Sequence, residues 1–294
     1  MVVLATEIRP PQADGGERVT RLAAETGAAG IHLGTACDLE LVAGGPLVQS
    51  ALRLGLEVPS LTLPMPERRL ATGKRLPRLS APERDERGAA IALAERGLSL
   101  GSSFGARMVL LDFGGVSLAA AYAEVGGAFA RRALAADEPG GLRLADALAE
   151  RRARGPEILD ACRWSLERLV GAAERAGMRL SLQLGVTPWQ APSPREASDL
   201  HETFGPALGI VWDPARLSIL AALDLAIADD RLKTLAASAL VVLDNDAVGL
   251  VPGYLPGLGE RDARFATFSP PDAALRIITG GADATAGEVA AALA

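Results

Sequence analysis

Residues 157–184 read EILDACRWSLERLVGAAERAGMRLSLQL. Glu157–Ala176 carries the pattern of an amphipathic helix, Gly177 stops it, and Arg179–Leu184 follows as a short aliphatic strand. Helix, glycine stop and strand form one unit, and that unit recurs in both directions along the chain.

Toward the N-terminus, Arg107–Phe113 (RMVLLDF) is nearly continuous in apolar residues, as a parallel strand buried on both faces must be. A long helix, Ala81–Leu100 with Ser80 as its cap, precedes it. Val58–Leu63 is a third strand closed by Pro64 and Pro66, and Gly30–Gly34 is a second, followed by a helix around Gly45–Leu54. Val2–Ile8 is the first, leading to a helix that Asp14 caps and Gly27 ends. Toward the C-terminus, Leu208–Trp212 runs into Asp213 as the sixth strand, and a helical stretch spans Leu217–Ala237. Leu240–Leu243 and Leu275–Ile278 are the seventh and eighth strands, with Ala286–Leu293 as a closing helix. Residues 247–274, rich in Gly and Pro, read as a long loop, and 116–156 as an insertion or mobile loop above the fourth strand. Eight alternating β and α units without a linker predict a single-domain (β/α)8 TIM barrel over residues 1–294. A doubly wound open sheet is the rival, but no strand is followed by a GxGxxG or P-loop pattern.

Composition narrows the function. The net charge is -6 and no basic stripe exists, so nucleic acid is excluded as a partner. No run of about 18 apolar residues suggests a membrane span, and the N-terminus meets Glu7 and Arg9 too soon for a signal peptide. Cys37 and Cys162, outside any CxxC pattern, read as reduced thiols of a cytoplasmic protein. With 4% aromatic residues the core must be aliphatic.

In such a barrel the functional side chains stand where the strands end and the βα loops open. The polar residues at those ends are Glu7, His32, Thr62, Asp112, Gln183, Asp213, Asp244 and Asp246, with Trp189 and Arg216 just beyond. Asp244 and Asp246 share side-chain parity on a strand, and with Asp112 they form a candidate carboxylate cation site. Gly280–Gly281 is a candidate phosphate turn, and His201, in an amphipathic stretch, reads as a surface residue.

Residues 172–205 (AAERAGMRLSLQLGVTPWQAPSPREASDLHETFG), the following LGIVWDPARL at 208–217, the Gly88–Phe113 region and PGLGERD at 256–262 resemble the xylose-isomerase-like family of sugar-phosphate isomerases and epimerases. The resemblance implies a divalent cation held by a fifth-strand Glu, a sixth-strand Asp with a His in D-x-x-H, a seventh-strand His and an eighth-strand Glu. On those positions this chain carries Gln183, Asp213 and Arg216, while ALVVLDND lacks the His and LRIITGG lacks the Glu. A hard cation wants anionic oxygens, and a guanidinium in its shell repels it by a few kcal/mol. No cofactor is therefore expected.

Two functions follow. One is a metal-free isomerase or epimerase of a small sugar, polyol or sugar phosphate. Asp213, His32 and Asp112 are then the acid/base candidates, and Gln183, Arg216, Trp189, Asp244 and Glu7 contact substrate. The other is a non-catalytic sugar-binding or regulatory barrel that has kept only the mouth. The resemblance admits a homo-oligomer in either case.

Overall fold

The computed structural model describes residues 1–6, 16–35, 37–43, 45–65, 76–116, 125, 128, 139–185, 189–223, 225, 228–280 and 284–294. Eight parallel strands close into a barrel: β1 (Val2–Ala5), β2 (Gly30–Leu33), β3 (Glu57–Leu63), β4 (Met108–Leu111), β5 (Arg179–Gln183), β6 (Leu208–Trp212), β7 (Ala239–Asp244) and β10 (Leu275–Ile278), which returns to pair with β1. The hairpin β8 (Asp246–Val248) and β9 (Val251–Tyr254) lies between β7 and β10 in the chain.

Side-chain alternation divides the core in two. Val3, Ala5, Leu110, Val211, Val241, Leu243, Leu275 and Ile277 fill the barrel interior. Leu4, Ile31, Leu63, Leu111, Leu182 and Trp212 instead face the surrounding helices. Those helices are α1 (Glu17–Thr26), α2 (Leu39–Ala43), α3 (Pro46–Arg53), α4 (Arg84–Ser103), α5 (Pro139–Arg175), α6 (Pro194–Phe204), α7 (Pro214–Ala222), α8 (Asp229–Ala237) and α9 (Ala286–Leu293). None of the described helices is long and apolar enough to cross a membrane.

Several boundaries differ from the sequence reading. Residues 139–156, assigned to a loop, are the first half of α5, which continues through Pro156. Gly155-Pro156 has the look of a stop, but Ala147, Ile158, Leu166 and Leu169 are buried along this helix and packing overrides the local signal. Most of 117–138 lies outside the described residues, as do Glu7, Asp14 and Gly281. Ser80 does not cap α4; its hydroxyl donates to the Phe113 carbonyl at 2.9 Å, and the helix begins at Arg84. The stretch read as one helix over 217–237 is two, α7 and α8. The supposed loop 247–274 holds most of the β8–β9 hairpin and a 3-10 turn at Ala263–Thr267. His201 is half-buried, its Nδ1 donating to the Leu208 carbonyl at 2.7 Å.

Candidate functional site

At the C-terminal ends of the strands the inward-facing side chains change from aliphatic to polar. Thr62, Asp112, Gln183, Asp213, Asn245 and Thr279 line a cavity of about 220 Å³ with His32 and Arg216, and Pro252 and Gly253 of the hairpin help to wall it. Alternation explains the set. Asn245 continues the inward series of Val241 and Leu243, and Thr279 that of Leu275 and Ile277.

Asp213 anchors one wall. It caps α7, whose first residue is Pro214, and its Oδ1 accepts the Arg216 backbone N–H at 3.1 Å. The Arg216 Nε meets Oδ2 at 3.0 Å, the Asn245 amide donates to Oδ1 at 3.3 Å, and Arg216 Nη1 donates to the Leu184 carbonyl at 2.8 Å. Asp213 is 1% exposed. Burial pushes its carboxyl above the ordinary carboxylate range, and the Arg216 charge with the converging N–H groups opposes this without cancelling it. Asn245 spends its N–H groups on Asp213 and the Leu243 carbonyl, and its buried Oδ1 has no partner among the described residues.

His32 sits between two hydroxyls, Nδ1 at 2.9 Å from Ser60 Oγ and Nε2 at 3.0 Å from Thr62 Oγ1. Burial lowers its pKa to about 3, so the imidazole is neutral near pH 7, one nitrogen donating and the other accepting. Asp112 is tied through Oδ1 to the Gly114 N–H at 2.9 Å. Its other oxygen has no partner among the described residues. Asp112 also lines a second cavity, of about 320 Å³, and Trp189 stands in that compartment rather than in the mouth.

Asp244 is not at the mouth. It is bound by Arg276 and, at 3.2 Å, by Arg261. Asp246 takes Arg261 Nε at 3.0 Å and the Gly257 and Gly259 N–H groups at 2.6 and 3.3 Å. The carboxylate cation site imagined from Asp112, Asp244 and Asp246 therefore does not form, because guanidinium groups fill it. Asn245 between them is the residue that faces the cavity, and strict counting of strand parity from Val241 would have found it. Thr35, Pro252 and Gly253 carried no sequence signal. Gly280 packs against Leu255, not against an open turn.

The fit of a divalent cation follows from these donors. Asp213 is the one carboxylate at the positions the resemblance implicates, and its charge is met by Arg216; Gln183 and Asn245 offer neutral oxygens. Among the described residues no three His, Cys, Asp or Glu side chains converge. The described donors at those positions are thus one paired carboxylate and neutral amides, where such a cation prefers several anionic oxygens or imidazoles.

No protein-family profile matches the chain, and no curated protein matches it in sequence. Solved structures do match in shape. A 3-keto-D-glucoside 4-epimerase from E. coli is 15% identical, with a TM-score of 0.62 over 99% of this chain and 97% of that one. The IOLI protein, whose structure holds a zinc atom, is 11% identical with a TM-score of 0.65 over 99% and 94%. A xylose isomerase domain protein from Planctomyces limnophilus is 14% identical with a TM-score of 0.59 over 100% and 94%. The chain has the barrel fold of the xylose-isomerase-like sugar epimerases and isomerases.

Proposed function

We propose that the barrel mouth binds a small, uncharged sugar or polyol and moves a proton on it without a divalent cation. The observation that carries this reading is the Asp213–Arg216 pair, which puts a fixed positive charge where the resemblance places the metal. Hydroxyls and amides (Thr62, Gln183, Asn245, Thr279) suit a polyhydroxylated ligand, and the Asn245 Oδ1, without a partner among the described residues, is an acceptor for a ligand hydroxyl. A phosphate is disfavoured, since the Arg216 charge is already met by Asp213 and Asp112 adds a negative one. Asp112 is the candidate base, because Asp213 is fully engaged, both His32 nitrogens are bonded to hydroxyls and burial depresses the imidazole's basicity. Its carboxylate would take the proton from the carbon beside a carbonyl. The electron pair would move onto the carbonyl oxygen, near Arg216, and the proton would return to carbon.

The test is solvent exchange. The protein, treated with chelator, is incubated in D2O with a panel of ketoses, aldoses and keto-sugars, and deuterium at carbon is followed by NMR. The expected result is incorporation into one sugar, reduced at least about 100-fold in Asp112→Asn and in Arg216→Ala. Incorporation only after adding Mn2+ or Zn2+, with the metal bound stoichiometrically by elemental analysis, would overturn the metal-free reading. A second reading, sugar binding without turnover, is favoured by the locked state of His32 and Asp213. It predicts stabilisation by a sugar, about 2.7 kcal/mol at 100 times its Kd, with no exchange.

A further inference from the structure

Asp112 is the wall shared by two compartments of different chemistry. The mouth cavity is faced with hydroxyls, amides and charges. The second is faced mainly by Pro64, Leu76, Pro77, Val116 and Trp189. Its outer wall is held by the backbone. Gly115 and Gln190 form an antiparallel bridge, the Val116 N–H donates to the Trp189 carbonyl, and the Ala191 N–H donates to the Gly114 carbonyl at 3.1 Å. Arg78, fixed on Glu86 at 2.7 Å, donates to the Gly115 carbonyl at 2.8 Å. The segment after β4 and the segment after β5 are thereby joined, and the Trp189 residue is held alongside the Asp112 turn. Trp189 also packs on the cluster of Leu144, Ala215 and Ile219.

We infer that the ligand has two parts, a polyol head in the mouth cavity and an apolar, flat aglycone against Trp189, with the junction beside Asp112. A free monosaccharide carries hydroxyls around its whole edge. Those directed at proline, leucine and valine would lose water and find no partner. An aryl group attached through a glycosidic oxygen instead buries apolar area there and stacks on the indole. The inference rests on the sugar-binding role proposed for the mouth.

Calorimetric titration of the full chain would compare phenyl with methyl glycosides across gluco, galacto, manno and xylo sugars, alongside the free sugars. In wild type the phenyl glycoside of the recognised sugar is expected to bind at least about tenfold more tightly than the methyl one, equivalent to about 1.4 kcal/mol. Trp189→Ala should remove that difference and leave the methyl glycoside within about twofold of wild type. Val116→Glu, which sets a carboxylate on the same wall while keeping the indole, should do the same. Equal affinity for phenyl and methyl glycosides in wild type would overturn this inference and leave sugar binding intact. Binding of none of the compounds would overturn both.

Discussion

Among the described residues, His32 and Asp213 are the two buried titratable side chains at the mouth, and the fold treats them in opposite ways. Asp213 is given a counter-charge and three N–H donors, so it is held in place while burial works against its ionised form. Among the described residues His32 is given two hydroxyls and no carboxylate, and its folded pKa of about 3 lies far below the ordinary 6.5. A depressed folded pKa adds stability that is fully present above pH 6.5 and is lost as pH falls toward 3. Between pH 6.5 and 4 this amounts to about 3 kcal/mol. Urea unfolding across that range should therefore show wild type losing stability more steeply than His32→Gln, whose amide cannot take up a proton. Parallel pH profiles for the two proteins would show that His32 is not held neutral by the barrel. The residue paired to Asp213 was legible in the sequence, because Arg216 stands three places along at the start of a helix. Asn245 was not, because an amide between two aspartates draws less notice than the aspartates do.

Strand irregularities decide which of these residues reach the mouth. On β2 and β3, Gly30 pairs with Glu57 and His32 with Ser60, so β3 carries one extra residue. Pro59 falls in that bulge, where its missing N–H breaks no ladder, and Ser60 and Thr62 are left within reach of the His32 ring. A side chain at position 30 would place Cβ 2.2 Å from the Glu57 carbonyl oxygen, a backbone atom that cannot rotate away. Gly30→Ala should cost more than about 2 kcal/mol by urea midpoint; an unchanged midpoint would mean the close approach is not required. A second bulge sits between β6 and β7, where Ile210 pairs with Ala239 but Val211 with Val241. Leu240 is the extra residue, and it packs where Gly209 has no side chain. The strands themselves were legible from aliphatic runs stopped by Gly and Pro, and most fall within a residue or two of their expected ends. Bulges are not legible in this way, because each one resets the count of inward and outward positions. Asp244 is a different case, since no bulge separates it from Val241: plain alternation takes it out of the inward series, and Arg261 and Arg276 hold it there.

At the scale of the molecule, the longest described departure from the βα repeat is the connection between β7 and β10, and its charges show why it is ordered. Arg261 bridges Asp244 and Asp246, while Asp246 also gathers the N–H groups of Gly257 and Gly259. Ala247 and Glu260 exchange backbone hydrogen bonds at 3.1 and 2.8 Å, closing the loop on itself. Leu255 is buried against Gly280, and the β8–β9 hairpin brings Pro252 and Gly253 to the rim of the mouth. The mouth is thus walled partly by a segment in which one arginine ties two aspartates together. Removing Arg261 leaves Asp246, 3% exposed, with backbone donors but no counter-charge. Breaking such a buried pair costs about 3 kcal/mol or more. Apart from Asp244 at the C-terminal end of β7, the barrel strands make none of these contacts, so the loss should be local. Hydrogen exchange of Arg261→Ala should show faster exchange across 245–262 and unchanged protection in β4, β5 and β6. Uniformly faster exchange would show instead that the connection is part of the barrel's cooperative core. In the local case, ligand affinity at the mouth should fall along with the protection, since the same segment supplies part of its rim.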